Sequence, residues 1–107
     1  MGVKITLAGH GFEGPYDSAR LMYEKAGVFV ILCKDIREQG KFYVIDVDEA
    51  AGVRSAAQSH KRQVDWVKNC RGTGTIAVAV IYMENSTKEQ RVKITSDIRS
   101  LYDVPCG

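Results

Sequence analysis

The sequence lacks several features that would point directly to a class of protein. Its 107 residues contain no apolar run near the ~20 residues needed to cross a bilayer, and the mixed residues at the N-terminus do not form a signal peptide. We therefore expect a cytoplasmic location without membrane contact. The cysteines are odd in number and form no C-x-x-C pair, so we expect reduced thiols and no structural metal at Cys33, Cys70 and Cys106.

No extreme of composition or charge is present either. Hydrophobic residues make up 45% of the chain and charged residues 26%, which is the balance of an ordinary globular domain and excludes a disordered chain. A net charge of +2 by itself indicates little about partners. We expect one domain over residues 1–107, of unknown oligomeric state.

Hydrophobic periodicity predicts an α/β fold of the α+β type. The strands at 28–33 and 42–47 are expected to pair antiparallel, because the loop between them is too short for a parallel crossover. The full prediction is a mainly antiparallel sheet of three to four strands flanked by three helices. In chain order it comprises a strand at 3–7, a short helix from Asp17 or Ser18 to Gly27, the strand pair, a helix over 53–70, a strand at 75–82 and a last helix. The last helix begins with a capping box at Ser86–Glu89, and its core stripe consists of Ile94, Ile98 and Leu101.

Two tripeptides in the predicted strand pair carry a family resemblance. Gly27-Val28-Phe29 begins the first strand, Asp46-Val47-Asp48 ends the second, and His60 follows on the predicted helix. This order resembles the core of the GIY-YIG nucleases from Gly27 to about Pro105. Residues 27–105 are then the core, and residues 1–26 are an N-terminal extension made of a strand and a helix.

The resemblance implies a site that has lost most of its catalytic residues. Relative to the family pattern, Phe29 and Asp46 replace the two tyrosines, Ala56 replaces the arginine, and Thr95 replaces the glutamate that holds a divalent metal. The threonine hydroxyl cannot supply the negative charge that Mg²⁺ seeks. If Tyr43-Val44-Ile45 is the second tripeptide instead, the arginine position falls on Val53 and is still lost. We therefore expect no nuclease activity and no cofactor, with Mg²⁺ or Mn²⁺ needed only if activity remains.

Four aromatic or imidazole side chains have two interpretations each. His60 either packs on the helix with one hydrogen bond or performs acid–base chemistry, for which it needs a partner within ~3 Å. Phe29 and Tyr43 are either the remnant of a site or core residues of the strands. The predicted apolar stripe of the helix over 53–70 consists of Val53, Ala57, His60, Val64 and Val67. Trp66 lies off this stripe and either stacks on a base or covers the sheet edge.

Positive charge is concentrated in residues 54–71, which hold five cationic residues and one acid. Arg54, Lys61 and Lys68 are seven residues apart, so a continuous helix would align them in one stripe. Such a stripe binds DNA or RNA phosphates, contacts a protein, or is only a solvated helix face. The candidate nucleic-acid contacts are Arg54, Lys61, Arg62, Lys68 and Arg71.

Two further functions stay open from the sequence. A working endonuclease with a rearranged site would use Glu89 or Asp97 as the metal ligand and Arg54 or Arg91 as the arginine. A nucleotide-binding domain would use Gly9, Gly11 and Gly14, which match G-x-G-x-x-G after a strand. Since Pro15 disfavours a helix start at Gly14, we expect these glycines to form a plain strand-to-helix loop.

Overall fold

In a computed structural model, the chain forms a sheet with helices on both faces. The structure describes residues 4–34, 41–70 and 74–107. None of the helices within these residues is long and apolar enough to cross a membrane. The elements, in chain order, are β1 (Lys4–Leu7), β2 (His10–Tyr16), a 3₁₀-helix (Ala19–Leu21), β3 (Gly27–Lys34), β4 (Phe42–Ala50), α1 (Val53–Gln58), α2 (Gln63–Asn69), β5 (Thr75–Tyr82) and α3 (Lys88–Leu101).

The sheet is antiparallel throughout and has the strand order β1-β2-β5-β3-β4. The α+β class and the antiparallel pairing of β3 with β4 are confirmed. The sheet has five strands, one more than the upper expectation, because residues 10–16 form β2 between β1 and β5. Strand β3 lies in the interior of the sheet and is buried over nearly its whole length. The edges are β1 and β4.

The glycine pattern near the N-terminus forms a β-hairpin. Ala8 and Gly9 both have positive φ, at 51° and 80°, which is the backbone of the two-residue turns that join antiparallel strands. Gly11 and Gly14 then lie within β2. The expected strand-to-helix loop is therefore wrong, since Gly9 reverses the chain into a strand. Nucleotide binding by helix N–H groups would need a helix start at these glycines, and the hairpin provides none.

The side chains of β3 alternate between two core layers. Phe29, Ile31 and Cys33 lie on the face covered by the 3₁₀-helix, α1 and α2, in a cluster that includes Trp66. Val28, Val30 and Leu32 lie on the opposite face, which α3 covers with Ile94 and Ile98. Burial on both faces explains why this strand is a continuous apolar run in the sequence.

The helix expected between Asp17 and Gly27 is shorter than predicted. Only Ala19–Leu21 forms one 3₁₀ turn, and the Ser18 hydroxyl caps it by accepting from the backbone N–H of Arg20. The chain then becomes extended at Met22, and the backbone N–H of Tyr23 donates to the hydroxyl of Tyr82 at 2.8 Å. Gly27 begins β3 and does not end a helix.

The predicted continuous helix over residues 53–70 is two helices, α1 and α2. At the break, the Gln63 side chain donates to the carbonyls of Ala57 and Gln58, which takes the place of backbone bonds. The Ser55 carbonyl accepts from both the backbone N–H and the hydroxyl of Ser59. His60 and Arg62 lie within the break and face acids on β4. The predicted stripe of cations at seven-residue spacing therefore does not form on one helix.

The face that α2 buries also differs from the prediction. Val64 and Val67, assigned to the apolar stripe, are 66% and 67% exposed, whereas Trp66, placed off that stripe, is 5% exposed. The break before Gln63 rotates α2 relative to α1, so the seven-residue pattern read across both helices does not apply.

The expectation of three reduced thiols is wrong for two of them. Cys33 on β3 and Cys70 at the end of α2 form a disulfide, and Cys106 is a buried free thiol. No spacing rule indicates this pairing, because 37 residues separate the two cysteines and only the fold brings them together.

Helix α3 begins one residue later than predicted. Thr87 is its N-cap and forms the capping box with Gln90, since each side chain accepts from the other residue's backbone N–H. Ile94 and Ile98 are buried as expected, but Leu101 is exposed and Arg91 is buried on the same face.

Candidate functional site

The strongest polar cluster in the described residues lies on the edge strand β4, where an extra residue bends the strand. Ile31 pairs with Asp46 and Leu32 pairs with Val44, so Ile45 is a bulge. A bulge redirects the side chains around it. Ile45 enters the layer with Trp66, Val44 and Val47 face the other layer, and Asp46 is 1% exposed.

Asp46 is the centre of this cluster, since five hydrogen-bond donors surround its carboxylate. Its Oδ2 atom accepts from the indole Nε1 of Trp66 at 2.6 Å and from Nε of Arg62 at 2.8 Å. The Oδ1 atom accepts from the Val47 backbone N–H at 2.8 Å, Nη2 of Arg62 at 3.1 Å and Nη2 of Arg99 at 3.0 Å. Two cations and this many donors offset the cost of burying a carboxylate.

The two arginines come from different layers of the fold. Arg62 precedes α2, and its hydrogen bonds to Asp46 raise the pKa of the guanidinium. Arg99 lies in the last turn of α3 and also donates to the carbonyls of Val47 and Cys106. Asp46 therefore links helices on both faces of the sheet to one strand.

The outer edge of β4 carries hydrogen bonds from side chains and from the C-terminal segment. The carboxylates of Asp46 and Asp48 accept from the next backbone N–H along the strand, while Arg99 donates to the carbonyl of Val47. The backbone N–H of Cys106 donates to the carbonyl of Ile45. These contacts occupy backbone groups of β4 that another strand would need for pairing.

His60 is held at both ring nitrogens. Its Nδ1 accepts from the backbone N–H of Arg62 at 3.1 Å, and its Nε2 lies 2.7 Å from Oδ2 of Asp48. Because a backbone N–H can only donate, Nδ1 carries the lone pair and Nε2 carries the proton that Asp48 accepts. His60 consequently has no free lone pair with which to take a proton from a substrate.

Part of the predicted vestigial site does come together. Phe29 pairs with Asp48 across β3 and β4. The rings of Phe29 and His60 are in an edge-to-face arrangement, with their centroids 6.0 Å apart. The His60 ring lies 4.9 Å from that of Trp66, which in turn bonds Asp46. Five residues thus line one polar and aromatic cluster, and they come from β3, β4, the turn between α1 and α2, and α2 itself.

The other predicted positions stay outside it. Tyr43 is 52% exposed and lies beyond the bulge, opposite Cys33. Ala56 packs against the aromatic core layer and brings no polar group. Thr95 is on α3, where its hydroxyl donates to the carbonyl of Val92 at 2.7 Å.

The residues of the rearranged nuclease site are dispersed. Arg91 is buried against Glu49, with Nε 2.8 Å from Oε1, and also donates to Ser86. Asp97 accepts from His10 at 3.0 Å and lies 3.4 Å from Lys93, contacts that lower the pKa of its carboxyl, with His10 the main cause. Glu89 is exposed in the first turn of α3, two helical turns from Asp97. Residues 4–34, 41–70 and 74–107 contain no cluster of three acid, histidine or cysteine side chains suited to a metal.

The predicted nucleic-acid contacts divide into three groups. Lys61 and Lys68 are exposed, and no ion pair joins either to an acid in the described part of the chain. Arg54 is exposed near Glu24, which accepts from the backbone N–H of Ser55. Arg62 is hydrogen-bonded to Asp46 and Asp48 on β4. Arg71 lies outside the described residues.

Sequence reasoning missed most of the partners of Asp46. Trp66 and Arg99 were not linked to it, because 20 and 53 residues separate them from it along the chain. The sequence does contain one indication, because Asp46 interrupts an apolar strand run. A buried carboxylate requires cations or N–H donors nearby, so such partners could have been predicted.

No protein-family model, curated protein or solved structure matches this chain.

Proposed function

We propose that this chain is a non-catalytic domain of GIY-YIG-like type that binds nucleic-acid phosphates through the exposed cations of α1, α2 and the turn between them. One observation carries the proposal. The charged groups of the predicted catalytic region neutralise each other, while Lys61 and Lys68 remain in solvent without an acid partner among the described residues.

The family part of the proposal rests on the positions that meet in space. Phe29, Asp48 and His60 correspond to family positions, and they come together from two strands and the turn before α2. Gly27 begins β3 with its Cα against the carbonyl of Ile81, where a Cβ would collide with the β5 backbone. A glycine at the start of this strand thus has a physical reason in this chain.

The absence of catalysis is supported by how the polar groups are bonded. Hydrolysis of a phosphodiester needs a group that can activate water and a centre that stabilises negative charge. His60 uses both nitrogens internally, and Asp46 is enclosed by five donors. At the positions where the family uses arginine and glutamate, Ala56 and Thr95 offer no charge.

Phosphate binding requires only accessible cations. Lys61 lies between the helices and Lys68 lies in the last turn of α2, and both side chains are free to approach a polyanion. Lysine contacts to phosphates act without reading bases, and each contact releases counterions, so affinity falls as salt rises. We propose the cytoplasm as the location where this binding takes place.

The test is fluorescence anisotropy with labelled duplex DNA and RNA at low and moderate salt. The double variant Lys61→Glu/Lys68→Glu is expected to reduce affinity at least tenfold and to lower the salt slope by about two, since each duplex phosphate contact contributes about 0.9. The matched control is Lys4→Glu/Lys88→Glu, which makes the same charge change on β1 and at the start of α3 and should keep most of the affinity.

Two results would contradict the proposal. One is an absence of any binding to DNA and RNA at low salt. The other is an equal loss in both double variants, which would indicate attraction by net charge alone. Incubation of supercoiled plasmid with Mg²⁺ or Mn²⁺ should leave it intact; nicking that disappears in Glu89→Ala or Asp97→Ala would instead establish the rearranged endonuclease.

A further inference from the structure

The attachment of α2 to the sheet is unusually dependent on a few contacts. This helix has seven residues, well below the ~12 that an isolated helix needs to be even marginally stable. Val64 and Val67 are exposed, and Trp66 is its one buried side chain. Tertiary contacts must therefore keep α2 folded and docked.

Those contacts lie at the two ends and the middle of α2. Arg62 bonds Asp46 at the N-terminal end, and Trp66 bonds the same carboxylate from the middle. At the C-terminal end, the amide of Asn69 donates to Sγ of Cys106 at 3.5 Å, and Cys70 is covalently joined to Cys33. The disulfide is the one covalent attachment of α2 to the sheet in the described part of the chain.

The two cysteine residues differ in exposure. Cys33 is 4% exposed within β3, whereas Cys70 is half-buried at the helix end. The backbone of Gly74 covers one side of the bond, since a Cβ there would lie 2.7 Å from Sγ of Cys33 and 3.1 Å from that of Cys70. Of the two residues, Cys70 is therefore the more accessible to a reductant.

We propose that Cys33–Cys70 is a reversible redox site, opened by dithiol reductants, that determines whether α2 remains docked on the sheet. In the first step, a thiolate of the reductant attacks Sγ of Cys70, the protein disulfide breaks, and Cys33 leaves as a thiolate that takes up a proton. The second thiolate of the reductant then attacks the mixed disulfide and releases Cys70 as a thiol. Two electrons pass to the protein, and the dithiol becomes a disulfide.

The third cysteine does not take part in this exchange. Cys106 is buried, and burial raises the pKa of its thiol, so it stays protonated and unreactive. It can serve as an internal control for accessibility. The proposal does not depend on nucleic-acid binding, because it concerns only the docking of α2.

Trp66, the single tryptophan, reports the state of α2 directly. Its indole lies against His60 and bonds Asp46, and it is four residues from Cys70. The full chain is to be treated with dithiothreitol while its Trp66 emission and far-ultraviolet circular dichroism are recorded. We expect the emission to shift to longer wavelength as the indole leaves the core, with the strand signal unchanged, and glutathione disulfide to restore the original emission.

Amide hydrogen exchange gives a second measurement. Reduction should accelerate exchange at least tenfold across residues 63–70 and leave β3 and β5 unchanged. Cys33→Ser/Cys70→Ser should match the reduced protein without reductant. If the double variant does not fold, the comparison of exchange in the reduced and the oxidised wild type still tests the proposal.

Three outcomes would overturn the proposal. The first is a disulfide that persists when the native protein is treated with excess dithiothreitol, because the bond would then not be open to dithiol exchange. The second is complete reduction without change in Trp66 emission or in exchange at 63–70. The third is loss of the strand signal together with the emission, because the bond would then hold the whole fold and not α2.

Discussion

Replacement of Asp46 by asparagine tests the central claim about the cluster, namely that this carboxylate holds two layers of the fold to the edge strand. The substitution preserves side-chain shape but removes the charge that Arg62 and Arg99 face. It also places an NH₂ group where one carboxylate oxygen accepts hydrogen bonds. Two guanidinium groups would then lie beside a neutral amide.

The size of the effect follows from burial. Removing one partner of a buried ion pair costs about 3–5 kcal/mol, because the remaining charge is left uncompensated. Arg62 and Arg99 keep part of their side chains in solvent, so water can replace some of the lost contacts. We therefore expect Asp46→Asn to lower the free energy of unfolding by about 3 kcal/mol, the lower end of that range. At about 4 °C per kcal/mol for a domain of this size, the midpoint of thermal unfolding should fall by about 12 °C.

The matched control is Asp48→Asn, two residues further along the same strand. Asp48 also meets Arg62, at 3.4 Å, and accepts from His60, but its side chain is 37% exposed. Pairs that water can reach contribute about 1 kcal/mol or less. Urea unfolding should be followed by circular dichroism, because the Trp66 baseline itself changes when its partner is altered. A loss for Asp46→Asn no larger than that for Asp48→Asn would refute the reasoning.

Three further predictions concern the backbone and the cysteines. Gly27→Ala should destabilise the fold by about 1–3 kcal/mol in urea titrations, since the new Cβ meets the Ile81 carbonyl and β5 must shift. Cys33→Ser/Cys70→Ser should lower the free energy of unfolding by about 4 kcal/mol, from the chain entropy of a loop spanning 37 residues. Burial raises the pKa of Cys106, so its stabilising effect is complete below the unfolded thiol pKa, near 8.5, and is lost as pH rises through the folded pKa. Cys106→Ala should flatten this alkaline loss in stability–pH curves.

The parts of the fold that follow from local rules could be predicted from the sequence. Too few residues separate β3 from β4 for a parallel crossover, which favours antiparallel pairing, and the apolar run of β5 indicates burial on both faces. The glycine hairpin could not be predicted, because a G-x-G-x-x-G pattern is compatible with a helix start or with a turn at Gly9. Only pairing of His10–Tyr16 with β5 decides between them.

The candidate site depends on contacts that local periodicity does not encode. The helix over 53–70 is broken because His60 and Arg62 turn towards carboxylates on β4, and these tertiary bonds outweigh the helical preference of the segment. The disulfide likewise depends on the end of α2 returning to β3. In both cases the deciding partner is more than ten residues away in the chain.

The cluster around Asp46 also changes how the positive charge of residues 54–70 should be counted. By sequence this segment holds four cationic residues, but Arg62 is neutralised by the aspartates of β4, and Arg54 lies near Glu24. Lys61 and Lys68 are the cations left free for phosphates. Two duplex contacts imply a salt slope near −2, far below the slope of about −10 of proteins that contact many phosphates. Binding should therefore be weak, and it should be sought at low salt, where so few contacts are still measurable.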